Sequence, residues 1–216
     1  MEYMIRDWNN WTWLAGDHIV EQHVHNIDVM NWFTGNHPVK AVGFGSRLRR
    51  YTGDMYDNFS VDYKFENGIH MHSMCRQIDG CVNNVSERIQ GSLGSTNCKN
   101  TIWDRDENVI WKYEYPPDKE GNPGTNVSVP AMVQEHIDFV TAIRTDKPIN
   151  EAENVATSSL IAIMGRISAY TGKETTYEEI LNSNLKLGPK IVDFDSVGYP
   201  KKVPIPGLAY IPEEKS

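Results

Sequence analysis

Phe59-Ser60-Val61-Asp62-Tyr63-Lys64-Phe65-Glu66-Asn67-Gly68-Ile69-His70-Met71-His72-Ser73-Met74-Cys75-Arg76 is the stretch that decides the fold of this 216-residue chain. Phe59, Val61, Tyr63 and Phe65 alternate with Ser60, Asp62 and Lys64. A period of two over this length predicts a half-buried β-strand. Asn67-Gly68 then gives the strongest short hairpin signal, and residues 69–76 read as the return strand. With a two-residue turn between Glu66 and Ile69, Phe65 faces His70 and Tyr63 faces His72. Further strands are expected at 39–48, 85–91, 96–103 and 109–113. Consecutive hairpins imply a mainly antiparallel sheet.

Helices flank this sheet. Residues 17–33 carry an apolar stripe of Val20, Val24, Ile27 and Met30, with Ile19 and His23 beside it; Gly35 and Pro38 end the run. A helix over 129–145 is expected to bury Met132, Val133, His136, Ile137, Val140 and Ile143, with His136 as a core histidine. A helix over 150–171 has a face of small apolar residues and stops at Gly172. A short helix follows at 176–181. Residues 116–128 read as a Pro/Gly/Asn-rich loop. The expected fold class is α+β: an open, mainly antiparallel β-sheet with helices packed on one face. Residues 1–188 form the domain, and 189–216 an extended, proline-rich tail.

The chemistry concentrates in Gly16-Asp17-His18-Ile19-Val20-Glu21-Gln22-His23-Val24-His25-Asn26-Ile27-Asp28. On one continuous helix, Asp17, Glu21, His25 and Asp28 form a polar stripe at the border of the buried face. Glu21 and His25, four residues apart, are a candidate proton-transfer pair. A histidine exchanges a proton near neutral pH, and a carboxylate one turn away orients it. The alternative is an ordinary surface contact between helix neighbours. A metal site is disfavoured. His23 and His25 point to opposite sides of a helix, and His70 and His72 share a strand face without third and fourth ligands. Arg76 and Gln77 are candidate substrate anchors, the alternative being a strand-end salt bridge. The Trp-rich N-terminus suggests a packed loop, or a lip over a cleft. Arg47, Arg49 and Arg50 read as a solvated strand end rather than a phosphate site.

Composition narrows the function classes. A net charge of -8 argues against a nucleic-acid binder. No apolar run reaches the length of a membrane span, and no signal-peptide core precedes the first strand. Three cysteines, Cys75, Cys81 and Cys98, without paired spacing read as reduced thiols. Gly43-Phe44-Gly45-Ser46-Arg47-Leu48 begins like a dinucleotide fingerprint. It has Leu48 where the last glycine belongs and sits in a strand-like run.

Together with Ser73-Met74-Cys75-Arg76-Gln77-Ile78-Asp79-Gly80, Ala162-Ile163-Met164-Gly165-Arg166 and Tyr170-Thr171-Gly172-Lys173, the Gly16 to Asp28 run resembles the C-terminal domain of Gfo/Idh/MocA (glucose–fructose oxidoreductase-like) proteins. The resemblance covers roughly residues 1–188. It implies a Rossmann domain upstream, which these residues do not contain, and NAD or NADP in the full-length parent. No cofactor is expected in this chain, and the chain alone is expected to be inactive. The implied substrates are sugars, cyclitols and related polyols. The implied catalytic residues are His25, in the family's histidine position, and Glu21, where the family usually has aspartate. Arg76, Gln77, Trp11 and Trp13 are the implied substrate contacts. The sheet face implies a homodimer or homotetramer. No nucleic-acid or membrane partner is expected. A soluble, cytoplasmic protein is expected, with the periplasm as the alternative for the parent. Two other readings stand beside this one: a non-catalytic assembly module, and an NAD-assisted glycosidase of the same family.

Overall fold

The computed structural model of the protein describes residues 5–117, 120, 121, 123, 124, 130–189 and 203–208. The chain divides into two compact units, residues 1–83 with 154–216, and residues 84–153.

The first unit begins with a 3-10 turn at Trp8–Asn10 and three short helices, α1 (Thr12–Ala15), α2 (His18–Glu21) and α3 (Val24–Thr34). Strands β1 (Pro38–Ser46), β2 (Asn58–Phe65) and β3 (His70–Arg76) follow. The second unit holds β4 (Ile89–Gln90), β5 (Gly94–Thr96), β6 (Thr101–Asp104), β7 (Val109–Lys112) and α4 (Ala131–Thr145). The chain returns to the first unit within α5 (Ala152–Thr171), then adds β8 (Thr175–Thr176) and α6 (Tyr177–Leu181). The expected single sheet is therefore two four-stranded ones, ordered β3-β2-β1-β8 and β4-β5-β6-β7, with every pairing antiparallel. The α+β class holds.

The hairpin forms with its register one residue away from the expected one. Tyr63 faces Met71, and Asp62 faces His72. The turn takes three residues: Phe65 N–H donates to Ile69 O at 2.8 Å, and Gly68 sits at φ 85°. A glycine in the left-handed region closes such a turn without strain. Burial chooses this register. Tyr63 is fully buried and Met71 nearly so. A slip of one residue would set Tyr63 against exposed His72 and send the return strand's apolar side to water.

Helix α5 lies on the buried face of this sheet. Ile161, Ala162, Met164 and Ala169 are fully buried with Val61, Tyr63 and Phe65, and Ile19 and Ile27 join the same core. Each such large side chain contributes roughly 1.5–3 kcal/mol by leaving water. The approach is close enough to require small residues. A Cβ on Gly43 would lie 2.7 Å from Gly165 O, and one on Gly165 would lie 2.0 Å from the Tyr63 hydroxyl. Gly43 N–H donates to Ser168 Oγ at 2.8 Å, tying the strand to the helix. The other sheet face stays open, with Phe44 70% and Met74 68% exposed.

In the second unit the strand expected over 96–103 is two strands joined by a turn. Asn97 Oδ1 accepts the backbone N–H groups of Lys99, Asn100 and Thr101, and Cys98 adopts φ 55°. A local acceptor thereby replaces the ladder. The strand expected over 85–91 contracts to Ile89–Gln90. Helix α4 does not bury its apolar stripe: Met132, Val133, Ile137, Val140 and Ile143 are exposed, and only Ala142 is buried. His136 is exposed too, with Nδ1 2.7 Å from Met132 O. The stripe is amphipathic in sequence, but no described residue of its own unit covers it.

The expected stop is present: Gly172, at φ 69°, ends α5. The expected short helix α6 starts at a reciprocal capping box made by Thr176 and Glu179. Of the expected tail, residues 190–202 and 209–216 lie outside the described residues. Residues 203–208 return to the core: Tyr56 OH donates to Pro204 O at 2.8 Å, and Gly207 N–H to Thr171 O at 3.3 Å. Among the described residues, no helix is long and apolar enough to cross a membrane.

Candidate active site

The run from Gly16 to Asp28 is not one helix. Gly16 (φ 77°) ends α1 and Asp17 (φ 85°, ψ 156°) precedes α2. The ladder then opens: His23 N–H donates to His18 O, five residues back, at 3.0 Å, and Gln22 leaves the helical region. Such a widened turn is a local π-type irregularity. Helix α3 restarts at Val24. The break separates the two candidate residues, placing Glu21 at the end of α2 and His25 in the first turn of α3.

The break also changes their partners. Glu21 Oε1 lies 3.5 Å from His18 Nδ1, with both side chains about 15% exposed (15% and 16%). His25 is exposed, and its imidazole makes no hydrogen bond or ion pair among the described residues. His23 turns inward, with Nε2 2.7 Å from Ser73 Oγ on β3. Burial, aided by neighbouring His18, lowers the pKa of His23 to about 4 against a pull upward from the Asn26 side chain. His23 is therefore a neutral strut at physiological pH, and His25 is the free imidazole.

Beneath this turn lies a network that the spacing did not reveal. Asp17 is fully buried, and its Oδ2 accepts from Arg166 Nε at 2.7 Å and from Tyr170 OH at 2.9 Å. Tyr170 OH in turn accepts from Tyr56 N–H at 2.9 Å, and the two rings stack 3.9 Å apart. The Arg166 guanidinium lies 4.3 Å over the Tyr170 ring. Burial pushes the Asp17 carboxyl up, and Arg166 opposes that push. Cys75, in the same interior, is pushed up to about 12 by burial and by Asp17. Its thiol is not a nucleophile at neutral pH. One signal could have exposed this network: Arg166 sits on the apolar stripe of α5, and a charge in that position requires a buried partner.

A second network holds the remaining candidates. Asp57 accepts backbone N–H groups from Leu48, Arg49 and Arg50 at 2.7–3.1 Å. Burial alone would raise its carboxyl, yet these bonds hold it below the usual range. They curl the basic cluster into a turn. Arg50 then donates to Asn9 O, to Asn10 and to Gln77 Oε1. The tryptophan-bearing segment and Gln77 are thereby brought together. Trp11 is buried, 8% exposed, and Trp13 is half-buried. Arg76 is exposed and donates to Val82 O at 3.1 Å.

The Gly43-Phe44-Gly45 run does not form a dinucleotide-binding turn. Gly43 and Gly45 lie within β1, paired with β2, and Gly43 packs on the backbone of α5. No N-terminal helix turn with free N–H groups follows them. Among the described residues, no group of three or more His, Cys, Asp or Glu side chains could hold a metal ion. A cavity of about 640 Å³ in the second unit is lined by Lys99, Lys112, Tyr113 and Tyr115 among others, and it includes none of the candidate residues.

Residues 2–97, which contain α2, α3 and strands β1–β3, match the family model of the GFO/IDH/MocA C-terminal domain. That segment is similar to a GFO/IDH/MocA C-terminal domain. Its fold is similar to myo-inositol 2-dehydrogenase from Lactobacillus plantarum, at 19% identity over 81% of this chain and 52% of that one, with a TM-score of 0.56. It is also similar to scyllo-inositol dehydrogenase from Lactobacillus casei, solved with NAD(H) and scyllo-inositol, at 15% identity over 82% and 53%, TM-score 0.57. An oxidoreductase from Thermotoga maritima aligns at 17% identity over 83% and 50%, TM-score 0.59. The chain spans about half the length of these solved structures. No curated protein sequence matches it. The matched segment thus contains both the Glu21/His25 region and the Ser73–Gln77 segment, while Arg166 and Tyr170 lie beyond it.

Proposed function

We propose that this chain is a GFO/IDH/MocA C-terminal domain, the substrate-side and assembly part of an oxidoreductase acting on a sugar, cyclitol or related polyol. The domain in this reading spans residues 1–188. The supporting observation is the exposed, unpartnered His25 imidazole inside the family-matched segment. The fold's likeness to two inositol dehydrogenases, one solved with NAD(H) and scyllo-inositol, supports this choice of substrate class. In this reading the nicotinamide cofactor is held outside residues 1–188.

In this reading His25 receives the proton of a substrate hydroxyl or hydrogen-bonds that hydroxyl. A histidine suits this role because it exchanges protons near pH 7. Glu21 supplies negative charge at the junction ahead of α3. Arg76 and Gln77 contact substrate hydroxyls from the end of β3, and half-buried Trp13 offers an aromatic face. Trp11 acts from beneath as packing.

The test is His25→Ala in the intact, cofactor-loaded enzyme. Turnover is expected to fall by about 10²–10⁴, the usual contribution of a general acid–base group. Oligomer size should not change. Wild-type turnover in this variant would reject the catalytic reading.

A second reading, a purely assembly-forming module, draws on the open sheet face with exposed Val42, Phe44 and Met74. The occupant in that reading is a second copy of the chain, giving a dimer or tetramer. Phe44→Glu with Met74→Lys should convert the assembly to monomers in light scattering. An unchanged mass would remove the sheet face from the interface.

A further inference from the structure

Asp17 occupies a backbone conformation (φ 85°, ψ 156°) that is nearly exclusive to glycine. A glycine would sit there without strain. Instead the chain places a fully buried carboxylate there and clamps it from α5: Arg166 Nε and Tyr170 OH both donate to Oδ2, at 2.7 and 2.9 Å. The clamp is itself braced by the guanidinium over the Tyr170 ring and by the Tyr56–Tyr170 stack. A buried ion pair at a strained residue is a poor route to stability, because well-packed apolar groups usually serve as well. Strain that the surroundings hold in place characterises sites needing a fixed geometry.

What Asp17 holds is the turn carrying the candidate residues. Its backbone carbonyl accepts the N–H groups of Val20 and Glu21, both at 2.9 Å, and so starts α2. The side chain anchored in the core and the carbonyl that sets the turn belong to one residue. We propose that Asp17 and Arg166 are positioning residues, a core-anchored tether that fixes the turn bearing His18 and Glu21 ahead of His25. The tether acts through backbone placement and touches no substrate. Its effect on turnover rests on the proposed catalytic reading; its effect on the turn does not.

The paired replacement Asp17→Gly with Arg166→Met separates position from stability. It relieves the backbone strain and removes both buried charges together, so the melting temperature should equal or exceed that of the wild type. In the 216-residue chain, the imidazole NMR signals of His18 should shift or broaden while signals from the β2–β3 core stay in place. In the intact enzyme, kcat should fall at least tenfold with KM changed less than threefold. A folded double variant with wild-type His18 signals overturns the proposal. If the double variant fails to fold, Tyr170→Phe takes its place. That change removes one bond to Asp17 and the acceptor of Tyr56 N–H, and keeps the ring stack. It should also move the His18 signals, and unchanged signals there overturn the proposal equally. If the wild-type enzyme oxidises no polyol, the proposed function fails, and the His18 signals still decide the tether.

Discussion

Arg166 Nε meets Asp17 Oδ2 at 2.7 Å, with side chains 2% and 0% exposed. The contact joins residues 149 positions apart and binds two of the segments that carry the family resemblance. Those segments, remote in sequence, share one buried network beneath the candidate site. The network explains why an arginine stands on the apolar stripe of α5 and why an aspartate tolerates a glycine-like backbone.

Arg166→Met alone leaves the Asp17 carboxylate buried without its cation. Stability should fall by about 3–5 kcal/mol, the usual cost of removing one partner of a buried pair. Urea unfolding measures it. A loss below about 1 kcal/mol would mean that Asp17 takes up a proton or finds water in the variant.

His23 makes stability depend on pH. Its pKa is lowered to about 4 in the folded chain from an ordinary 6.5, so the unfolded chain binds more protons between those values. The contribution is complete above pH 6.5 and is lost as pH falls toward 4. Its upper bound is about 3 kcal/mol, from 1.36 kcal/mol per unit. Unfolding free energies at pH 7, 5.5 and 4.5 should show a steeper decline for the wild type than for His23→Gln. Parallel curves would contradict the assignment.

Gly165→Ala should be costly because the new methyl group would sit 2.0 Å from the Tyr63 hydroxyl in a fully buried layer. Overpacking of this kind destabilises by about 1–3 kcal/mol. Gly188→Ala, where nothing lies within 4 Å of an added Cβ, is the control and should stay within about 0.5 kcal/mol. Thermal melts of both variants decide the point.

The hairpin register has a direct readout. Met71 is 9% exposed and Met74 is 68% exposed. Met71→Lys should cost about 2–5 kcal/mol, as loss of a buried apolar side chain does. Met74→Lys should leave the stability of the isolated chain within about 0.5 kcal/mol. Equal losses would argue against the observed pairing of Tyr63 with Met71.

Local patterns carried much of the fold. Alternation in 59–65, the Asn67-Gly68 turn and the glycine stop at Gly172 depend on neighbours a few residues away, and each element formed where expected. The register did not follow from the turn signal. Two-residue and three-residue turns both accept Asn-Gly, and only the core beneath Tyr63 separates them. The expected helix over 17–33 failed for a related reason. Its apolar spacing was sound, but buried Asp17 and the His23–Ser73 bond pull the backbone out of one continuous ladder. Helix α4 shows the reverse case: an amphipathic stripe states which face is apolar, and not whether anything lies against it.

At the candidate site, residue identity was legible and partnership was not. The sequence by itself determined the α+β class, the antiparallel hairpin, the family resemblance and the presence of an acid and three histidines in one short run. Those depend on composition and on contacts between near neighbours. Only the tertiary structure decided that Glu21 lies beside His18, that His23 is locked to Ser73, that His25 stands free, and that Asp17 is held by Arg166 and Tyr170. The physical reason is range. A hydrogen bond or ion pair between groups 50 or 149 residues apart leaves no period in the chain, and it exists only once packing has brought its two ends together.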